Sequence, residues 1–288
     1  MSGSITLENR FGVNKMELIS LKYAIFVIVL LVLYYCFPKK YRWYVLLAGS
    51  MAYYVIICKW YVLFIIFTIC TTYGSTIWID KLLKEQNAIV KSHKEDWDRQ
   101  TRKEYKEKGR KKRVAVMLFA LLCNFGILAF LKYIPYAGEL GLLLPLGISF
   151  YTFQSMGYVM DVYREIVEPE KNFLKVALFV SFFPQIIQGP IAIYDKLAGQ
   201  LYEGHSLRLE NLQKGALLVL WGVIKKLVIA DRAVNIINFV MDKPMDFSGT
   251  YVFFAAVVYA LQLYADFSGG IDIVRGIAEM FGITMSTN

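Results

Sequence analysis

Residues 60–79 read WYVLFIIFTICTTYGSTIWI and residues 114–131 read VAVMLFALLCNFGILAFL. Neither stretch holds a charged side chain. A helix needs about 20 apolar residues to cross a bilayer, with about 17 as a lower limit, so both are long enough to span. Six further apolar runs lie outward from this pair, at 21–37, 44–58, 140–160, 173–193, 212–230 and 250–267. Composition agrees with the runs: 57% of residues are hydrophobic, 16% aromatic and only 19% charged, with a mean hydropathy of +0.45. A soluble domain is nearer ~45–50% apolar and ~25% charged. The expected fold is therefore all-α, a polytopic transmembrane helical protein, with residues 1–288 forming one partial membrane domain.

Two of the runs are interrupted. Pro145, Gly147 and Gln154 fall in 140–160, and Pro184, Gln185, Gln188, Gly189 and Pro190 fall in 173–193. These are expected to be broken or re-entrant helices, because irregular backbone survives at membrane depth only against protein or a wet cavity.

The net charge of +9 is concentrated in one place. Residues 81–113 carry 13 Lys and Arg against 6 acids, an excess of seven. A basic segment between two spans is a cytoplasmic signal and meets anionic lipid headgroups, so membrane lipid is the expected partner. The segment is expected to be a cytoplasmic loop containing an exposed helix, since acids and bases interleave at helical spacing. Nucleic acid is not expected, because no stacking platform or binding fold accompanies the charge. Lys39, Lys40 and Arg42 put the turn after the first run on the cytoplasmic side. Parity then places the turn near Lys59 and the N-terminus outside. The four cysteines show no paired spacing, which argues against disulfides and metal. The first run lacks a small-residue cleavage site and is expected to be an uncleaved anchor.

Polar side chains inside apolar runs are costly and tend to mark function. Gln154, Gln185 and Gln188 are candidates for lining a cavity, as are Asp266 at the end of the last run and Ser268 and Asp272 just beyond it. Asp266 ends the apolar stretch, and Gly269 and Gly270 permit a turn there, followed by a short amphipathic segment over 271–283. A corner between two helices and an active-site wall remain alternatives. Asp161 with Arg164, and Asp272 with Arg275, are spaced to pair. Lys225 and Lys226 are expected to snorkel and anchor a span. His93 lies in the basic segment and His205 in a polar loop, with nothing apolar around it, so neither suits general-base chemistry in the membrane.

Four stretches carry a resemblance: 144–164 (LPLGISFYTFQSMGYVMDVYR), 178–191 (LFVSFFPQIIQGPI), 221–232 (WGVIKKLVIADR) and 261–282 (LQLYADFSGGIDIVRGIAEMFG). In content, order and spacing they resemble the membrane-bound O-acyltransferases, and within them the alginate O-acetylation branch. The resemblance implies transfer of an acyl group, acetyl above all, to hydroxyls of a cell-envelope or extracellular polysaccharide. It implies a multi-pass protein of the inner or cytoplasmic membrane. It also implies an acyl donor such as acetyl-CoA or an acyl-carrier thioester, with no bound cofactor, and an extracytoplasmic acetylation partner protein. The histidine that acts as general base in this family follows the stretch matching 261–282, in a Trp/Arg-rich segment. It is expected beyond Asn288, which would make this chain an inactive N-terminal fragment. The Gly269-Gly270 pair and Arg275 depart from the family pattern. The competing reading is a non-enzymatic carrier or scaffold for envelope assembly; a proton-coupled carrier would bury carboxylates or histidines at mid-span.

Overall fold

The computed structural model describes residues 19–93, 95–133 and 144–286, and no strand occurs among them. The membrane domain expected over 1–288 divides into two compact units. Described residues within Leu46–Ile186 and Ile191–Tyr202 form the first, and those within 19–45, Ile187–Pro190 and 203–286 form the second. The helices in chain order are α1 (Leu21–Cys36), α2 (Arg42–Cys58), α3 (Val62–Ser92), α4 (Arg99–Tyr133), α5 (Ile148–Tyr163), α6 (Phe173–Ser181), α7 (Phe183–Ile187), α8 (Tyr194–Glu203), α9 (Leu209–Ile224), a π-helical segment (Lys225–Ala230), α10 (Asp231–Met241) and α11 (Gly249–Met280). Among the described residues, three stretches are long and apolar enough to cross a membrane: Lys39–Ser92, α4 and α11. The chain is an all-helical membrane protein.

In the first unit, α3 and α4 pack on each other and on α5. With 31 and 35 residues, they are about 46 and 52 Å long at 1.5 Å per residue, longer than the ~30 Å hydrocarbon layer. The excess length is the basic segment. It is not one exposed helix in a loop, as expected, but a hairpin made by the ends of α3 and α4. Lys84–Asp80 at 2.5 Å and Gln100–Glu104 at 2.8 Å stabilise it along each helix. Asp98 caps α4 by accepting from the Thr101 N–H at 2.8 Å; hydrogen bonds from the Thr101 hydroxyl and then from that N–H hold its carboxyl below the ordinary range. Within the apolar part, Asn124 Nδ2 donates to Thr71 Oγ1 at 2.9 Å and ties α4 to α3. Such a bond satisfies polar groups that lipid cannot.

The interruptions act differently from each other. Pro145 and Gly147 introduce α5 rather than break it; residues 140–143 of that run lie outside the described residues. Gly147 has φ +72°, and a Cβ there would stand 2.1 Å from the Ile186 carbonyl oxygen, so only glycine fits. At the other end of α5, Glu165 adopts φ +62°. A left-handed non-glycine residue costs about 1–2 kcal/mol, and here it directs the carboxylate to Arg113 Nη1 at 2.9 Å. No ion pair joins Asp161 to Arg164. The 173–193 run is broken as expected, at Phe182, whose ψ of 110° separates α6 from α7.

In the second unit, α9, the π segment and α10 pack along α11. The turn that Gly269 and Gly270 permit does not form, and with it the alternative of a corner between two helices falls, because α11 is one helix of 32 residues. The glycines serve close approach instead. A Cβ on Gly222 would lie 2.4 Å from the Gly269 carbonyl oxygen, and one on Gly215 would lie 2.6 Å from that of Gly276. The two pairs are seven residues apart on each helix, so backbones touch at two levels. Gly276 and the residues around it are buried, whereas Tyr251, Phe253, Phe254 and Tyr264 in the first half of α11 are exposed, which suits a lipid solvent and not water.

Arg42 was expected only as a topology signal, yet it also organises this unit. Its guanidinium lies over the rings of Tyr34 and Tyr35, 5.4 and 5.1 Å from their centroids. It donates to the carbonyls of Phe37, Tyr35 and His205. His205 is likewise not isolated in a polar loop: its N–H donates to Tyr34 Oη at 3.0 Å, and its side chain packs on Gly282.

Candidate functional site

The polar layer of the second unit is built on the α9–α11 hairpin. Gly222 and Gly269 bring the backbones together, and one turn farther on α9 gives way to the π segment. A π turn inserts a residue and re-aims side chains, often where function resides. Lys225 and Lys226 open this segment. Lys225 Nζ pairs with Asp272 Oδ2 at 2.6 Å, and Lys226 Nζ pairs with Asp266 Oδ1 at 2.5 Å. The lysines therefore do not snorkel away from the helix pair; they bridge it. Arg275 Nη1 approaches Asp272 at 3.5 Å, so the expected Asp272–Arg275 contact forms within a larger cluster. The side chains of Lys225 and Asp272 are only 18% and 11% exposed. A pair so buried holds its helices in register, because separating it strands a charge. Lys225 also lies over the Trp221 ring, 5.6 Å from its centroid.

Ser268 and Gln188 join this layer. Gln188 Nε2 donates to the Phe267 carbonyl at 3.1 Å. Gly270 makes room for it, since a Cβ there would stand 2.2 Å from Gln188 Oε1. Four of the six residues singled out in the sequence (Gln188, Asp266, Ser268 and Asp272) are thus brought together in the second unit. Ser268 Oγ and Arg275 Nε are buried there without a hydrogen-bond partner. Unsatisfied buried polar atoms are rare in native structures. They make this layer the part of the unit equipped to take a further polar group.

The other two residues lie in the first unit, where the broken helix explains one of them. Continuing α6 would have sent the Phe183 N–H to the Phe179 carbonyl. The break at Phe182 frees both groups. Ser50 Oγ accepts from the Phe183 N–H at 3.1 Å, and Gln154 Nε2 donates to the Phe179 carbonyl at 2.8 Å. Gln154 therefore supports the break itself, one of the ways such backbone is tolerated in a membrane. Gln185 is buried in α7, 4% exposed. The aromatic rings of Tyr54 on α2 and Tyr151 on α5 meet edge to face, with centroids 6.3 Å apart. No group of three or more His, Cys, Asp and Glu suited to a metal occurs among the described residues.

Sequence reasoning missed the role of Lys225 and Lys226, Ser50 and Arg42. A signal for the lysines was present: two adjacent cations in an apolar run, and two aspartates, Asp266 and Asp272, at and just beyond the end of the following run. The heptad spacing of Gly215–Gly222 and Gly269–Gly276 was a second signal that these runs pack together.

Known proteins share much of this sequence. A peptidoglycan O-acetyltransferase of Helicobacter pylori is 31% identical over 210 residues, which is 60% of this chain and 40% of that protein. The chain is homologous to bacterial O-acetyltransferases. Probable alginate O-acetylases give the same result: that of Pseudomonas syringae is 36% identical over 148 residues, 51% of this chain and 28% of that protein. That of Pseudomonas aeruginosa is 34% identical over 149 residues, again 51% of this chain and 28% of its own length. The homologous region thus spans well under half of each of these relatives. No family profile matches the chain. The similarity bears out the resemblance to membrane-bound O-acyltransferases of the alginate O-acetylation type.

Proposed function

We propose that this chain supplies the membrane scaffold of an O-acyltransferase that moves acetyl from a thioester donor to hydroxyls of a cell-envelope or extracellular polysaccharide. The observation that carries the reading is the homology to O-acetyltransferases named for peptidoglycan and for alginate. The reaction needs an acceptor oxygen to attack the thioester carbonyl. The C–O bond forms as the C–S bond breaks, the acceptor proton passes to a base, and the thiolate leaves and is protonated. On this reading the base is the histidine that the resemblance implies in a Trp/Arg-rich segment, and the polar layer of α9 and α11 is a candidate wall of the acyl-transfer site. Lys225 and Lys226 hold that wall rigid through Asp272 and Asp266, and Ser268 Oγ and Arg275 Nε supply free polar atoms for donor or acceptor. On this reading the protein sits in the cytoplasmic or inner membrane as a multi-pass chain and works with an extracytoplasmic partner protein.

A proton-coupled carrier needs a carboxylate free to change its charge at mid-span. Asp266 and Asp272 lie well inside a long helix, but each is held by a lysine, which favours the scaffold of an enzyme over a carrier. The test is acetyl transfer in membranes containing the full-length protein, given a labelled acetyl thioester and envelope polysaccharide. Alkali-labile label on the polysaccharide is expected, and its loss when the histidine of the Trp/Arg-rich segment becomes alanine. Transfer that survives that substitution overturns the mechanism.

A further inference from the structure

The membrane-proximal part of the α3–α4 hairpin borders an open cavity of about 400 Å³, lined entirely by residues of the first unit. Its rim carries Lys103, Lys106 and Arg110, and its wall includes Arg113, set against the acids Glu107 and Glu165. The lining thus has two positive charges in excess. A basic rim alone would be an ordinary solvated surface. The floor is different. Gln86 is 6% exposed and Arg113 is 9% exposed, so both are more than nine-tenths buried. Each keeps an unused polar atom: Gln86 Oε1, an acceptor, and Arg113 Nε, a donor.

Both side chains are fixed in place by the rest of the cavity. Gln86 Nε2 donates to the Lys106 carbonyl at 2.9 Å. Gly109 leaves room for the carboxamide, since a Cβ there would stand 2.5 Å from Gln86 Oε1. Arg113 Nη1 is held by Glu165, whose left-handed backbone aims the carboxylate at it. A guanidinium anchored through one nitrogen, with another N–H still free, is suited to an oxyanion. A neighbouring acceptor asks for an O–H or N–H on the same ligand.

We infer that this cavity binds a phosphate ester carrying an adjacent hydroxyl or amine. Arg113 Nε and the lysine rim take the phosphate oxygens, and Gln86 Oε1 accepts from the neighbouring donor. The chemistry is shared by an anionic lipid headgroup and by a nucleotide-bearing acyl donor. The inference goes beyond the acyltransferase reading and stands or falls by a binding measurement, not by acetyl transfer.

The experiment titrates the purified full-length protein in neutral detergent with three probes: short-chain phosphatidylglycerol, coenzyme A, and short-chain phosphatidylcholine, which lacks the hydroxyl donor. Saturable binding of phosphatidylglycerol or of coenzyme A is expected, with phosphatidylcholine weaker. Saturation by the lipid alone identifies a headgroup site, and saturation by coenzyme A alone identifies a donor site. Arg113→Gln is expected to weaken binding about tenfold, the scale of one charge-assisted hydrogen bond. Arg110→Gln on the exposed rim weakens it as well and tests the site should the Arg113 variant misfold. Lys108→Gln removes the same charge from the hairpin outside the cavity and is expected to leave binding unchanged. Equal losses for Lys108→Gln and Arg110→Gln overturn the inference, as does the absence of saturation with every probe.

Discussion

Replacing Asp272 by leucine leaves Lys225 without its 2.6 Å partner between α9 and α11. Arg275, 3.5 Å away, loses its carboxylate as well. Breaking a buried pair by removing one member costs about 3–5 kcal/mol, because the remaining charge is stranded. Lys225 is still 18% exposed, so the lower end, about 3 kcal/mol, is expected. Replacing both members by apolar residues of similar size removes the stranded charge, and such exchanges are often neutral. The double variant Lys225→Met with Asp272→Leu removes the stranded lysine but still leaves Arg275 without its carboxylate, so it should recover most, not all, of the loss. The assay is chemical unfolding in mixed micelles, followed by the fluorescence of Trp221 and the other tryptophans. A single variant as stable as the parent would refute the argument that the pair clasps the helices. So would a double variant no better than Asp272→Leu alone.

Gly222→Ala places a methyl group 2.4 Å from the Gly269 carbonyl oxygen; overpacking of this kind costs about 1–3 kcal/mol, read by the same unfolding measurement. Gln154→Leu strands the Phe179 carbonyl freed by the helix break, with an expected cost of about 1–3 kcal/mol; an unchanged midpoint would show that another group takes over the cap. Alkaline pH should destabilise α8. Burial raises the Tyr194 and Tyr202 phenols above their ordinary value of 10.0. The unfolded chain then ionises first, so stability is complete below about pH 10 and falls as the pH rises beyond it. Thermal unfolding across pH 8 to 11 (approximate limits set by that phenol range) checks this, and Tyr202→Phe should flatten the loss.

Much of the fold was legible because lipid leaves a plain signature. The uncharged runs at 60–79 and 114–131 became the spanning parts of α3 and α4. Pro184 marked a break in a helix, and the break lies two residues before it, at Phe182. What the runs hid were relations between distant segments. Glycines 269 and 270 signal a turn in isolation, and only the opposing Gly222 and Gln188 show that they are contact points inside one helix. The Lys225-Lys226 pair likewise looks like an anchor until Asp266 and Asp272 are placed opposite it. The basic segment was visible as charge, but its folding into two helical ends depends on Asp98 capping α4 and on contacts such as Gln86 with Lys106. Of the candidate site, the acids and Ser268 were legible as polar groups in an apolar run. The support given by Ser50 was not, because a single serine in a span is unremarkable until its partner N–H is known.

On the proposed function, this chain belongs to the machinery that puts acetyl esters on an envelope polysaccharide. The most direct measurement is the alkali-released acetate of each polysaccharide fraction from cells with and without the gene. The account predicts that deletion removes ester-bound acetate from one fraction, and that the intact gene restores it. Unchanged ester-bound acetate in every fraction would contradict it.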